Sequence, residues 1–326
     1  MYIYAETAFH HEGDLDYLKE LVSTAKSCGA NGVKFQVLTE TDYLISKKHS
    51  QYQKLKSITL PFDEWREVFD HTEKLGLDIV MMPIDPECLR LLEDFNIRFL
   101  DLHSVSFNDL EVLTAIKSTQ LPLILGVGGR RITEIQDKIG FFKSQLNVLM
   151  TGFQSFPSRL ADVTLEKIRC LSEAFPLTDV GYADHSSWDS PDAVRSNSWA
   201  FILGARFFEK HLTLNEGKER IDYNSAVGPE KFKEIINELK YLNDEILNKP
   251  SEALNDLNAA ELKYRSRERV IVAKRAIRKG EKLRPEHLVY KMTDAEGGIV
   301  QLEPLLGKIT TKGIEEDEIV NLDCTN

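Results

Sequence analysis

The feature that most constrains the fold is a regular alternation of short apolar runs with amphipathic stretches. Eight runs are predicted to be strands, and they begin at Ile3, Asn31, Asp78, Ile97, Pro122, Asn147, Asp179 and Arg206. A helical pattern follows each run except the last, and a final helix is predicted over Glu230–Leu247. This alternation is typical of an α/β protein built as a parallel (β/α)8 barrel, the TIM barrel. A doubly wound open sheet is the alternative, although no GxGxxG follows the first strand.

The alternation ends near residue 247, and the chain changes character there. Residues 248–264 are polar and alanine-rich, and they predict a partly helical linker. Within Arg269–Val289 the pattern predicts a strand, a lysine–glycine turn, a short strand and a proline-started helix. Leu305–Asp323 loosely repeats it. We therefore expect a catalytic barrel over residues 1–247 and a separate small β-rich domain over residues 265–326.

Composition excludes several classes of function. A net charge of −11 and a pI of about 5.3 argue against nucleic acid as a partner. No stretch approaches the twenty apolar residues of a membrane span, and MYIYAETAF lacks the features of a signal peptide. The four cysteines are far apart and form no CxxC, which favours free thiols. We expect a protein of the reducing cytoplasm.

Two of the predicted strands end on histidines, His185 and His211. Alternate side chains of a strand share a face, so Glu209 and His211 point the same way. If the two strands are parallel neighbours, both imidazoles meet at one end of the sheet. Two imidazoles and a carboxylate suit a divalent transition metal. The alternative is that each is a hydrogen-bonded histidine at a strand end, and the matching positions favour the metal site.

Active sites of (β/α)8 barrels lie at the C-terminal ends of the strands. This rule selects a set of polar residues: Glu6, Lys34, Gln36, His103, Ser104, the loop Gly126–Arg131, Gln154, His185, Glu209 and His211. Lys34 is unusual, because burial of an unpaired ammonium is costly, and it therefore predicts an anionic ligand. The alternative for Lys34 is an internal ion pair with Glu6 or Glu209.

The loop GVGGRR leads into a predicted helix at Ile132. Its backbone N–H groups, together with Arg130 and Arg131, predict a site for a phosphate. The alternative is that the glycines only shape a turn and that both arginines lie on the surface.

Taken together, the motifs resemble those of the sialic acid synthase family, whose members condense phosphoenolpyruvate with an N-acylated hexosamine. AETAFHHEGDLDYLKELVSTAKSCGANGVKFQ resembles the opening of the family, and GYADHS and EKHLTL resemble its two metal-histidine motifs. RIDYNSAVGPEKF is similar to the segment after them. Lys263–Asp323 resembles the antifreeze-like, or SAF, domain of the family.

The resemblance implies a transferase of sialic acid biosynthesis, similar to N-acetylneuraminate synthase. It implies manganese or magnesium bound by His185 and His211, and a homodimer in which each SAF domain covers the active site of the partner. Phosphoenolpyruvate would contact Lys34, with Ser104 nearby. The residues implied around the sugar and the metal are Glu6, Gln36, Glu209 and Asp222. Either Glu6 or Glu209 would manage the proton of the attacking water.

The chain also departs from the family pattern. The chain has His10 where the family has an asparagine, Gly126-Val127-Gly128-Gly129 where it has serine–threonine–glycine–methionine, and Ala183 where it has a serine. Gln154 replaces a serine or asparagine, and Phe156 replaces the tyrosine before Pro157. Met292-Thr293 replaces an arginine–proline pair. Arg130 and Arg131 are expected to compensate for the lost hydroxyl groups at the phosphate. Two further hypotheses stay open: another aldol-type synthase or lyase on the same barrel, and a non-catalytic relative that binds a sugar.

Overall fold

The computed structural model describes residues 1–152, 155–247 and 256–326. Its first compact unit, Met1–Asn248, is built around eight parallel strands. They are β1 (Tyr2–Glu6), β2 (Gly32–Val37), β3 (Asp78–Pro83), β4 (Ile97–Leu102), β5 (Leu123–Gly126), β6 (Leu146–Thr151), β7 (Asp179–Asp184) and β8 (Phe207–Leu212). They pair in chain order, and β1 also pairs with β8 from Tyr2↔Phe207 to Glu6↔His211. This pairing closes the sheet, so the (β/α)8 barrel is confirmed and the open sheet is excluded.

Barrel strands such as β3 and β6 are almost continuous apolar runs because both of their faces are buried. The inward side chains fill the lower part of the barrel with Tyr4, Val80, Phe99, Ile124, Val148, Met150 and Ala183. The outward side chains pack against the surrounding helices in a second, larger apolar layer. The barrel interior is therefore a packed core, and chemistry is left to the strand ends.

Helices connect the strands on the outside of the barrel. They are α1 (Leu15–Cys28), α2 (Thr41–Leu44), α3 (Tyr52–Ile58), α4 (Phe62–Lys74), α5 (Leu110–Thr119), α6 (Ile132–Phe142), α7 (Leu160–Val163), α8 (Lys167–Ala174), α9 (Asp192–Ile202) and α10 (Pro229–Tyr241). A 3-10 helix, Glu87–Glu93, joins β3 to β4, a short β9 (Ala226–Val227) pairs with β8, and a π-helix, Leu242–Ile246, continues α10. In the described part of the chain no helix is long and apolar enough to cross a membrane.

The ends of α1 show why the first helix lies where it does. The Asp14 carboxylate accepts a hydrogen bond from the Tyr17 N–H and caps the start of the helix. Gly29 ends the helix with φ 92°, in the left-handed region that glycine adopts without strain. These two residues fix the length of α1 and bring the chain back to the start of β2.

The second compact unit is Lys249–Asn326, with α11 (Ala259–Arg265) near its start. β10 (Val270–Ala273) pairs antiparallel with β11 (Leu288–Lys291), and isolated bridges such as Ile277↔Ile314 extend the pairing. The unit has its own apolar core: Ile271, Ala273, Ile277, Leu283, Leu288, Leu305, Ile314, Val320 and Cys324. Residues 248–255 of the predicted linker lie outside the described residues.

The proline-started helix predicted before Val289 is wrong. The structure has a single 3-10 turn, Pro285–His287, followed directly by β11. The prediction failed because the backbone of β11 pairs with β10, a contact distant in sequence that outweighs the local helix signal. The predicted short strand after the lysine–glycine turn is reduced to the bridge Lys282↔Ile309.

Candidate active site

The C-terminal ends of β1, β2, β4 and β8 hold a buried cluster of charges centred on Lys34. The Lys34 Nζ lies 3.0 Å from Glu209 Oε2, 3.2 Å from Glu6 Oε2 and 3.2 Å from Asp101 Oδ2. None of the four side chains is more than 2% exposed. The internal ion pair considered for Lys34 is therefore present, and it involves Glu6, Glu209 and a third carboxylate, Asp101. We refer to these four residues as the Lys34 cluster.

The Lys34 cluster has more carboxylates than cations, which affects its protonation. Burial raises the pKa of Glu6 to about 8, with Lys34 lowering it and Glu209 raising it further. Burial also raises the pKa of Asp101, against the opposing effect of Lys34. Burial alone would lower the pKa of Lys34, but the charges of Asp101, Glu209 and Glu6 raise it well above its usual range. The raised pKa values therefore favour a charged ammonium on Lys34 and a proton on Glu6 at neutral pH.

Hydrogen bonds fix the two glutamates differently. The Glu6 Oε1 accepts from Gln36 Nε2 at 2.9 Å and from the Ala8 N–H at 3.2 Å. The Glu209 Oε2 accepts from the Tyr4 hydroxyl at 3.0 Å and from Lys34 at 3.0 Å. Glu6 Oε2 has no hydrogen-bond partner within the described parts of the chain. Each glutamate thus has one oxygen held by two donors, and the second oxygen of Glu6 lies 3.2 Å from the Lys34 Nζ.

His185 and His211 lie side by side at the ends of β7 and β8. Their Nε2 atoms are 3.0 Å apart, and the register Ala183↔Glu209 of the paired strands brings them together. The ligand atoms of both histidines and of Glu209 lie within 4.8 Å of one another. The Nδ1 of His185 lies 3.1 Å from the carbonyl oxygen of Ala183, a contact that orients the ring. We refer to the two side chains as the histidine pair.

The histidine pair fits a divalent cation. Burial lowers the pKa of His185 to about 4 and, with the charges of His185 and Lys210, lowers that of His211 well below its usual range. Both rings are therefore neutral at pH 7, the form that ligates metals. Two nitrogens about 2.1 Å from one ion are about 3 Å apart when the angle between them is close to a right angle. The 3.0 Å separation matches this spacing.

The two arginines of the β5–α6 loop have different surroundings. The Arg130 guanidinium lies over the ring of Phe107 at 4.0 Å, and its side chain is only 19% exposed. It reaches Glu134 Oε1 and the carbonyl oxygen of Ser104, both at 3.5 Å. Arg131 is exposed, and its N–H donates to Glu134 Oε2 at the start of α6. The structure therefore positions Arg130 and leaves the Arg131 side chain on the surface.

The remaining predicted residues are spread around the same end of the barrel. Gln36 joins the Lys34 cluster through Glu6. Ser104 is exposed, and Asp222 lies in the loop after β8 with φ 62° and a pKa that burial raises. Gln154 lies outside the described residues. The structure thus brings the histidine pair, Glu209, Lys34, Glu6 and Gln36 together.

A match to a known protein family connects this geometry with relatives. The model of the NeuB family matches residues 21–249, which is more than half of the 326 residues. The chain belongs to the NeuB family.

Two relatives and a solved structure illustrate the breadth of this NeuB-family likeness. An uncharacterized protein of Methanocaldococcus jannaschii is 31% identical over 99% of this chain and 94% of its own. The N,N'-diacetyllegionaminic acid synthase of Campylobacter jejuni is 26% identical over 98% of each chain. The crystal structure of an N-acetylneuraminic acid synthetase from Leptospira borgpetersenii has a TM-score of 0.69 at 22% identity, covering 81% of this chain and 90% of that one. Because the identity to this structure is only 22%, the similarity concerns the fold alone.

Two features of this NeuB-family site were missed from the sequence. Asp101 is the acid of IRFLDL that shares a face with Phe99, and an acid inside an apolar strand could have signalled a buried charge. The second feature is the contact between Gly126 and His103. A Cβ at Gly126 would lie 2.8 Å from Cδ2 of the His103 ring, so glycine is required while His103 occupies this place. The glycine where the family pattern has serine therefore has a steric reason.

Proposed function

We propose that this NeuB-family chain is a phosphoenolpyruvate-dependent synthase. It would join phosphoenolpyruvate to an N-acylated hexosamine, its phosphate or a deoxy-diamino relative, and form a nonulosonic, sialic-type acid with release of phosphate. The observation that carries this proposal is the triad His185, Glu209 and His211 next to the Lys34 cluster. The diacetyllegionaminic acid synthase among its relatives supports it.

The metal belongs to the same proposal. His185, Glu209 and His211 would hold manganese or magnesium, and the bound ion would polarise the aldehyde oxygen of the open-chain sugar. All three side chains are buried, so the ion would lie in a site shielded from bulk water, where electrostatic effects are strong.

Glu6 is the residue that we propose for proton transfer. Because it is protonated at neutral pH, it can give a proton to the aldehyde oxygen as the new C–C bond forms. The resulting carboxylate can then take a proton from the water that attacks the pyruvyl carbon. The bond between the pyruvyl carbon and the bridging phosphate oxygen then breaks, the new hydroxyl becomes the keto group, and its proton leaves with the phosphate. Glu6 therefore ends in the protonation state in which it started. Glu209, whose carboxylate accepts hydrogen bonds from Tyr4 and Lys34, would be a ligand of the metal.

The other predicted residues take binding roles in this proposal. Lys34 keeps the carboxylates around it in place, and its ammonium is shared among three of them, so we assign the phosphate of the donor chiefly to Arg130. Ser104 would lie close to that phosphate, because its carbonyl oxygen contacts Arg130. Around the sugar we propose Gln36, Gln154 and Asp222. Arg131, the other arginine predicted for a phosphate, is exposed and takes no binding role in this proposal.

Oligomeric state and the C-terminal unit complete the proposal. We propose that residues 265–326 form an SAF domain and that the protein is a homodimer in which each SAF domain covers the active site of the partner. Light scattering would then give the mass of a dimer at micromolar concentration, and deletion of residues 265–326 would abolish turnover. A monomer, or full activity after the deletion, would contradict this part.

The deciding experiment is a phosphate-release assay. Phosphoenolpyruvate is incubated with a panel of amino-sugars and their phosphates, with and without manganese. We expect release that requires both an amino-sugar and the metal, and its loss in Glu6→Gln. Lys19→Met, at a surface ion pair with Glu67, is the matched control and should keep full activity. No phosphate release with any acceptor would refute the proposal.

A second candidate is another aldol-type synthase or lyase. The observation that favours it is Asp101, which adds a negative charge to the site and disfavours a highly charged donor. In this case a metal-dependent condensation would proceed with a donor lacking phosphate, such as pyruvate. Sugar binding without turnover of either donor would indicate the non-catalytic relative.

A further inference from the structure

A second buried ion pair lies on the outer face of the barrel, behind the histidine pair. Lys210 Nζ is 2.9 Å from Asp184 Oδ2, and the side chains are 2% and 0% exposed. The two residues are direct partners in the register of β7 and β8. The Asn197 Nδ2 of α9 donates to Asp184 Oδ2 at 3.2 Å and ties the pair to the helix outside. The proposed chemistry does not use this pair.

Both members of the ion pair form hydrogen bonds with the backbone of Ser186. The Ser186 N–H donates to Asp184 Oδ1 at 2.8 Å, and Lys210 Nζ donates to the Ser186 carbonyl oxygen at 2.9 Å. Ser186 follows His185 directly. The residue before His185 and the residue after it therefore belong to the same hydrogen-bonded unit.

Strand alternation relates this unit to the histidines. Asp184 precedes His185 and Lys210 precedes His211, so in each strand the charged side chain points outward and the imidazole inward. The carbonyl oxygen of His185 is fixed as well, by the Ser158 N–H at 2.7 Å and the Ser225 hydroxyl at 3.1 Å. Movement of Asp184 relative to Lys210 would thus move the two imidazoles relative to each other.

We propose that Asp184 and Lys210 are positioning residues that set the separation of the two histidine Nε2 atoms and thereby the affinity for a divalent cation. The inference rests on the metal site of the proposed function. It goes beyond that function, because it assigns a role to two residues that touch neither metal nor substrate. A pair kept only for stability would be replaceable by a neutral pair of similar volume without effect on metal binding.

The test is the double variant Asp184→Asn/Lys210→Met. Asparagine keeps an acceptor for the Ser186 N–H, methionine fills the space of the lysine stem, and no buried charge is left alone. The single variant Lys210→Met leaves an unpaired carboxylate and measures the cost of that charge. Asp85→Asn is the matched control, because Asp85 is a fully buried carboxylate that accepts from Thr39 and Cys88 after β3, on the opposite wall of the barrel.

Manganese affinity is measured by calorimetric titration, and ligand geometry by the absorption spectrum of the cobalt-loaded protein. We expect the double variant to unfold in urea close to the wild type and to bind manganese about 10- to 100-fold more weakly, the usual range for residues behind metal ligands. Its cobalt spectrum should differ from that of the wild type. Asp85→Asn should lose stability and keep both readouts.

Wild-type manganese affinity and an unchanged cobalt spectrum in the double variant would overturn the proposal, and so would a wild type that binds no metal. Should the double variant fail to fold, Asn197→Ala keeps the proposal falsifiable, because it removes one restraint on Asp184 and should weaken manganese binding severalfold. Neither readout requires turnover, so absence of phosphate release would refute the proposed reaction and leave this inference standing.

Discussion

The Lys34 cluster and the histidine pair lie at the same end of one barrel and differ in how their buried polar groups are charged. In the cluster, charged groups are buried and compensate one another through contacts of 3.0 to 3.2 Å. In the histidine pair, burial has suppressed the charge, and two neutral nitrogens face each other. The cluster sets three carboxyl groups around one ammonium of the chain itself, whereas the histidine pair offers two neutral imidazoles of the kind that ligate a divalent cation. The two regions therefore differ in chemistry: the cluster balances buried charges within the chain, and the histidine pair has the donor groups of a metal site.

The largest expected effect comes from breaking the cluster with Lys34→Met. Removal of the ammonium leaves the buried carboxylates of Glu209 and Asp101 without a counter-charge, and we expect a loss of about 3–5 kcal/mol in the free energy of unfolding. Urea unfolding measures this loss, which should shrink at lower pH as the carboxylates take up protons. Lys19→Met should cost about 1 kcal/mol or less. Equal losses in the two variants would show that the cluster is not a unit.

The next effect tests the histidine pair through His211→Ala. We expect manganese affinity to fall by more than about 100-fold, beyond the range for residues behind metal ligands, because a ligand itself is lost. Calorimetric titration of both proteins measures it. His71→Ala, at a hydrogen bond to Ser23 on α1, is the control and should bind manganese normally. Unchanged affinity in His211→Ala would remove the metal assignment.

A smaller effect separates the two arginines beside these regions. If Arg130 supplies the charge for the phosphate that Lys34 cannot, Arg130→Ala should weaken donor binding by about 1.5–3 kcal/mol, or roughly 10- to 150-fold in the Michaelis constant. Arg131→Ala, one residue away and exposed, is the matched control and should leave the Michaelis constant for the donor unchanged. A loss in the Arg131 variant alone would reverse the assignment.

The last effect, the smallest when it is counted per pH unit, is a pair of opposite pH dependences. Glu6 has a raised pKa, so its burial costs stability progressively as the pH rises from 4.5 towards 8. His185 has a lowered pKa, so its contribution is lost as the pH falls from 6.5 towards 4. Each group changes the free energy of unfolding by at most about 1.4 kcal/mol per pH unit. Urea unfolding of metal-free Glu6→Gln and His185→Gln should remove the first and the second slope, respectively, and unaltered slopes would contradict the shifts.

The barrel could be predicted from the sequence because each strand is a local apolar run with a helix after it. The pattern also predicted that His185 and His211 lie close together, because the ends of neighbouring strands in a parallel barrel meet at one edge. The C-terminal unit was harder. β11 exists through its pairing with β10, and nothing local to Pro285 shows that partner.

The site was predictable in its residue types and less so in its contacts. A buried charge could be predicted at Lys34, which lies inside a strand. Its three carboxylate partners come from three different strands, and the sequence pattern does not show that all of them contact Lys34. Arg130 and Arg131 are identical in chemistry and adjacent in sequence. The ring of Phe107, which distinguishes them, comes from a different loop.

The contact between Gly126 and His103 also limits the order in which this site can change. With His103 present, any side chain at position 126 would begin 2.8 Å from the imidazole. The same substitution becomes tolerable once position 103 holds a smaller residue, so its sign depends on the background. We therefore expect a side chain at position 126 to be accommodated only together with a change or a movement of the imidazole at position 103. The two positions are therefore expected to behave as an epistatic pair, because the effect of a side chain at position 126 depends on the residue at position 103.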